Sequence, residues 1–189
     1  MKNKNSKIAM LFILTMSLMS FSTLTEKVVD VKSSKVNWKG YKVTGEHEGT
    51  INLKSGTLTF DGEKLTGGTF VMDMTSINTT DLEGDSKGKL DGHLKSADFF
   101  GIEKHPTATM EFINVSGSNG SYKVKANLTI KETTKVVEFS MNVKDNTATA
   151  NVEIDRTDYD IKYGSSSFFD GLKDKAIYDN FDLNVTLTF

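Results

Sequence analysis

From residue 107 to residue 154 the chain alternates apolar and polar side chains with few breaks. Ala108, Met110 and Phe112 share one face, with Thr107, Thr109 and Glu111 on the other. A turn rich in Ser, Gly and Asn at 116–121 leads to Tyr122, Val124, Ala126, Leu128 and Ile130, opposed by Lys123, Lys125, Asn127, Thr129 and Lys131. Val137, Phe139, Met141 and Val143 come next, and Asp145-Asn146 turns the chain into Ala148, Ala150, Val152 and Ile154. A period of two marks a strand with one buried face and one wet face.

The first half follows the same rule less evenly. Val36 and Trp38 share a face until Gly40 breaks the phase, which predicts a strand with a bulge or bend. A second strand is expected over 47–53, closed by Lys54-Ser55-Gly56, and a third around Leu58 and Phe60, ending at the Asp61-Gly62 tight turn. Gly67-Gly68 opens a fourth, in which Phe70, Met72 and Met74 alternate with Val71, Asp73 and Thr75. Residues 78–89 read as a loop, and 87–97 as a short helix with Leu90, Leu94 and Ala97 on one side. The doublet Phe99-Phe100, Gly101 and the single proline, Pro106, end this interruption. A second irregular stretch, 157–178, holds Tyr159, Tyr163, Phe168, Phe169 and Leu172. The last strand carries Phe181, Leu183, Val185, Leu187 and Phe189 on one face.

About eight half-buried strands in near-sequential order predict an all-β fold with a short helix: an up-and-down antiparallel barrel of eight strands. Closure removes the exposed edges that long regular strands otherwise present. Strands of about nine residues rise ~30 Å, so the barrel encloses either a filled core or a long, slender slot. Its lining would come from Trp38, Phe70, Met72, Met74, Met110, Phe112, Leu128, Phe139 and Met141. The methionines suit a pocket that adapts to a flexible chain. The same alternation would also fit an outer-membrane barrel with its apolar face outward, though a single Trp and no paired aromatic girdles speak against it.

The first 22 residues stand apart. Lys2, Lys4 and Lys7 precede an apolar run over 8–19 and then Ser20, Phe21 and Ser22, the layout of a cleaved signal peptide, with an uncleaved anchor as the alternative. The run is shorter than the roughly 20 residues of a spanning helix. The domain is therefore placed at 23–189, without an integral span after cleavage, in the periplasm or outside the cell. Removing those three lysines leaves 20 basic residues against 25 acidic, a formal charge of −5, which disfavours nucleic acid as a partner. With no cysteine there is neither a disulfide framework nor a thiolate metal site.

Several segments together resemble the YceI-like proteins, exported lipid- or polyisoprenoid-binding domains with a lipocalin-like barrel. These are Ser76-Ile77-Asn78-Thr79, the block H-L-K-S-A-D-F-F at 93–100, His105-Pro106, L-T-I-K-E-T-T-K-V-V at 128–137 and D-R-T-D-Y-D-I-K-Y at 155–163. Glu132 replaces the glycine usual in the L-T-I motif, and a histidine common near the first strand is missing. The resemblance implies a long isoprenoid or fatty-acyl chain held inside the barrel.

The remaining chemistry is sparse. His47, His93 and His105 have acidic neighbours but no recognised ligand spacing, so no metal site is expected. Ser165-Ser166-Ser167 lacks the strand-to-helix context of a nucleophile elbow, and no Gly-rich phosphate cradle occurs. The expectation is a binding protein, not an enzyme, with no cofactor. The alternative is an exported structural or stress-related interaction domain with a filled core. His93 is a candidate head-group contact, and Phe99 and Phe100 are candidate packing residues of a lid over the barrel mouth. A homodimer is compatible with the sequence.

Overall fold

The computed structural model describes residues 23–189. The expected signal peptide falls on residues 1–22, outside the described residues. Nine strands and one helix form the fold: β1 (Leu24–Val28), β2 (Lys35–Lys42), β3 (Gly45–Asp61), β4 (Lys64–Thr79), α1 (Gly84–Lys95), β5 (Thr107–Ser118), β6 (Ser121–Ile130), β7 (Thr133–Lys144), β8 (Thr147–Asp155) and β9 (Ile177–Thr188). Strands β2 to β9 pair in sequence order, all antiparallel, and β9 returns to β2 with Leu183 opposite Trp38. The result is the closed eight-stranded up-and-down barrel that the alternation predicts.

Strand β1 was not evident in the sequence. It runs in line with β2 and pairs with the far half of β3, so the two are one edge interrupted by residues 29–34. Asp30 makes that interruption: its carboxylate accepts the Lys32 N–H at 2.9 Å and the Ser33 hydroxyl at 2.7 Å. This is an Asx turn, and it swings Val29 into the core.

Two expected strands prove to be one. Residues 47–53 and 58–60 both belong to the 17-residue β3, and Lys54-Ser55-Gly56 is not a turn. There the pairing of β3 with β4 slips between Leu53 and Ser55, a bulge that bends the strand. Gly56 is used for closeness: a Cβ there would sit 2.8 Å from the Phe70 ring. The turn letters were real, but in a long strand they serve curvature. The Asp61-Gly62 turn forms as expected, with Gly62 at φ +59°.

Polarity follows the walls of the barrel. In β6, Tyr122, Val124, Ala126, Leu128 and Ile130 are buried while Lys123 and Lys125 are exposed. The apolar faces thus point inward, the reverse of an outer-membrane barrel. One end is sealed by Leu58, Phe60, Leu65, Tyr122 and Phe189, with the Phe60 and Phe189 rings 5.6 Å apart. Tyr122 also accepts the Leu65 N–H through its hydroxyl at 3.2 Å.

The opposite end carries α1 and the β8–β9 connection. The helix runs from Gly84 to Lys95, three residues earlier at its start than the sequence suggests, and carries Lys87 and Asp91 one turn apart. Lys87 Nζ donates to Asn78 Oδ1, to the Thr79 carbonyl and to Asp91 Oδ2, and Asp91 Oδ1 accepts the Thr79 N–H. Burial would raise the Asp91 pKa, but the bonds from Lys87 and Thr79 outweigh it and hold the carboxyl below its usual value. Gly88 and Gly92 face open space and are not packing positions.

Candidate ligand cavity

Two cavities lie one above the other inside the barrel. The upper one, about 110 Å³, sits beneath α1 and is walled by Trp38, Met72, Met74, Leu94, Phe99, Phe100, Leu128 and Arg156 among others. The lower one, about 70 Å³, is walled by Phe70, Met72, Met110, Phe112, Leu128, Phe139, Met141 and Leu183 among others. Met72, Leu128 and Leu183 contribute to both and form the partition. The interior is thus neither a filled core nor an open slot, but a slot closed at its waist.

Of the residues proposed from the sequence, Trp38, Met74, Phe99 and Phe100 line the upper cavity. Phe70, Met110, Phe112, Phe139 and Met141 line the lower one, and Met72 and Leu128 line both. His93 lines neither. Its ring packs 4.4 Å from Tyr163 and 5.4 Å from Phe99, forming a layer outside the cavity wall. Burial lowers the His93 pKa; Arg156 adds to that and Asp98 opposes it. The imidazole is therefore a neutral packing group at pH 7.

Trp38 owes its position to a glycine. It pairs with Gly49 on β3, and Gly49 pairs in turn with Thr79 on β4. A Cβ on Gly49 would lie 2.6 Å from the indole and would also meet the Asn78 carbonyl, so only glycine leaves room for the ring. Glycine here serves space, since its backbone is extended.

Arg156 was missed. It is 2% exposed and opens the 156–159 turn after β8. Nε donates to the Tyr178 carbonyl at 3.1 Å, Nη1 to the Ile161 carbonyl at 2.6 Å and Nη2 to the Ile177 carbonyl at 3.0 Å. Asp179 Oδ1 lies 3.4 Å from Nη2, and the guanidinium carbon stands 5.7 Å from the Phe99 ring centre. Burial pulls its pKa down while Asp179 and Asp155 oppose that; a guanidinium remains a cation throughout. The residue is a hub that ties the β8–β9 connection to the start of β9. Its sequence signal was only an arginine inside a motif, because backbone acceptors leave no trace in a sequence.

The polar groups of the upper wall are mostly committed elsewhere. Tyr41 donates to Asp182 at 2.6 Å and Asn180 to Glu153 at 2.7 Å. Among the described residues, the buried side-chain polar atoms without a partner are Trp38 Nε1, Thr79 Oγ1, His93 Nε2 and Tyr159 Oη. All belong to the helix-covered half of the barrel. Burial, with Asp158 adding to it, pushes the Tyr159 hydroxyl up to about 12. Among the described residues no group of three or more His, Asp or Glu stands where it would hold a metal, and no helix is long and apolar enough to cross a membrane.

A closed antiparallel up-and-down barrel around an apolar slot, with one helix over its mouth, defines a lipocalin-like protein. A family model described as the YceI-like domain matches residues 28–189, and the chain belongs to that family. A UPF0312 protein of Pseudomonas aeruginosa is 36% identical over 89 residues, 47% of this chain and 44% of the relative. A UPF0312 protein of Vibrio cholerae is 28% identical over 129 residues, 65% of each. The chain's matches to these curated relatives thus span between about half and two thirds of their length. BcnA of Burkholderia cenocepacia superimposes with a TM-score of 0.68 at 21% identity, over 85% of this chain and 99% of that one. A polyisoprenoid-binding domain of Saccharophagus degradans does so with 0.60 at 17% identity, over 88% and 99%. At these identities the likeness is one of fold.

Proposed function

We propose that this protein binds a long-chain isoprenoid or fatty-acyl lipid inside its barrel and acts as an exported carrier or sequestering protein, not as an enzyme. The observation that carries the proposal is the stacked pair of apolar cavities parted only by Met72, Leu128 and Leu183. Ligand sites for drug-sized molecules run to roughly 300–1,000 Å³, so a long chain fits only if that partition moves. Methionine is the side chain best suited to move, being unbranched and polarizable. Membership of the YceI-like family and the fold likeness to a polyisoprenoid-binding domain support the same ligand class. The basic and then apolar N-terminus supports export.

In the upper wall Tyr41, Asn180 and Arg156 are tied to carbonyls and carboxylates of the chain itself. The indole N–H of Trp38, left without a partner, is neither an acid–base group nor a nucleophile. Native mass spectrometry of protein purified from its host tests the reading: a retained lipid is the expected result. The small free volume favours the rival reading, a structural domain with no small-molecule ligand. Protein of unliganded mass that also shows no saturable uptake of a fluorescent fatty acid or a polyprenol would establish that rival.

A further inference from the structure

The helix-covered end of the barrel bears an unusual outer surface. Val43, Tyr163, Phe168, Phe169 and Tyr178 are each about half exposed, between 50% and 53%. They come from the β2–β3 turn, the β8–β9 connection and the start of β9, and the Val43 N–H donates to the Ala176 carbonyl at 3.1 Å, joining the turn to the connection. Isolated exposed apolar residues are ordinary, but several converging on one rim mark an interaction site.

This rim is continuous with the cavity. Ile177 and Tyr178 line the upper chamber, and Ile177 packs against Gly164 in the same connection that presents the aromatics. Tyr163 stacks on His93, which packs on Phe99, itself a wall residue. An apolar track thus runs from the outer aromatics to the interior. Over residues 157–178 the charges are close to balanced, with Lys162, Lys173 and Lys175 against Asp158, Asp160, Asp170 and Asp174. The Lys162 ammonium, paired with Asp160 at 2.7 Å, lies 5.0 Å from the centre of the Phe168 ring. Exposed aromatic rings beside a lysine suit the boundary between water and acyl chains.

We infer that this rim, centred on Phe168 and Phe169, docks on a lipid bilayer surface and passes the lipid chain between membrane and barrel without exposure to water. The inference rests on the lipid-binding reading above. Every methylene exposed to water adds to the cost of transfer, so a chain of twenty carbons crosses an open gap at a negligible rate. A mouth that sits in the interface removes that gap. The near-neutral charge of the connection makes the contact apolar in character, so it holds on phosphatidylcholine vesicles as well as on anionic ones and changes little with salt.

The test compares the purified processed protein with a Phe168→Ser, Phe169→Ser variant, both rings being exposed enough for the fold to tolerate the change. Flotation with phosphatidylcholine vesicles reads docking, and transfer of a fluorescent acyl lipid out of those vesicles reads delivery. Loading of the same lipid from detergent solution reads the cavity alone. The expected result is that the variant loses about tenfold or more in vesicle binding and transfer rate while loading from detergent is unchanged. Wild-type protein that neither floats nor extracts lipid from vesicles, yet loads from detergent, overturns docking and leaves the cavity reading intact. Equal flotation and transfer by the variant also overturns it. Transfer that occurs only after an envelope protein is added assigns the rim to a protein partner and overturns it too. Failure to load from detergent defeats the lipid-binding reading instead, whatever the vesicles show.

Discussion

Lys87 and Thr79 are joined at 2.7 Å, ammonium to carbonyl, across the junction where the barrel wall ends and the mouth cover begins. Asp91, one helical turn on from Lys87, accepts the Thr79 N–H at 2.8 Å, so both backbone groups of one residue are held by one face of α1. The helix has little apolar surface with which to dock, Leu94 being its buried residue. Polar clamping takes the place of a hydrophobic stripe.

Asp91→Ala removes the acceptor for both Thr79 and Lys87. Leaving a partly buried donor unmet costs about 1–3 kcal/mol, which lowers the melting temperature by several degrees in a domain of this size. Hydrogen exchange should rise first in α1 and residues 96–105, with the strands still protected. Uniform loss of protection across the barrel would show that the clamp is not local.

His93 makes stability depend on pH. Its folded pKa lies below the ordinary histidine value of 6.5 because burial disfavours the cation. Between those two values the unfolded chain binds more protons than the folded one, so stability falls as pH drops from 6.5 and levels off once the folded imidazole also protonates. His93→Gln should flatten that slope between pH 7 and 5 in denaturation curves. An unaltered slope would contradict the role given to His93.

The glycines divide into two kinds that a single experiment separates. Gly49→Ala forces a methyl into the Trp38 ring and costs about 1–3 kcal/mol as an overpacking change. Gly88→Ala and Gly92→Ala, facing open space on a helix, each stabilise by about 0.5–1 kcal/mol. Denaturant midpoints should move in opposite directions for the two classes.

Arg156→Met leaves three carbonyls and Asp179 without their cation. The loss is about 3–5 kcal/mol, the range for removing one partner of a buried pair. Arg156→Lys recovers only part of it, because an ammonium lacks the planar fork that reaches separate carbonyls at once. Equal stability of the Lys and wild-type proteins would contradict the hub role.

Met72→Phe stiffens the partition between the two cavities. The variant should keep affinity for a short acyl chain and lose about tenfold or more for a long one, a difference of at least 1.4 kcal/mol. Titration with acyl chains of graded length measures the split, and parallel losses for all lengths would dismiss the waist as a gate.

The barrel was legible because its strands are half-buried, so Tyr122 to Ile130 and Ala148 to Ile154 announce their inward faces by alternation alone. Lys54-Ser55-Gly56 misled because the same letters that close a hairpin also supply a bulge, and only the pairing of β3 with β4 tells them apart. β1 hid for the opposite reason: Leu24 and Val28 are largely exposed, so no buried face marks it. Strand phase points Trp38, Phe70, Met72, Met74, Met110, Phe112, Leu128, Phe139 and Met141 at the interior, whereas Phe99 and Phe100 reach it from outside the strands and His93 does not reach it. Arg156 gave no such signal, since three of its partners are main-chain carbonyls. Nor did the Lys87–Asp91 clamp, whose i,i+4 spacing reads on paper like an ordinary surface pair.

The closed waist at Met72, Leu128 and Leu183 has a kinetic side. A chain too large for either chamber enters only as fast as those side chains and their strands give way. Uptake should then rise with lipid concentration and reach a plateau set by the protein's own rearrangement, with release slowed by the same barrier. Under the proposed carrier function, cargo would be held by a slow exit as much as by tight binding, and the Met72→Phe variant should lengthen its dwell time.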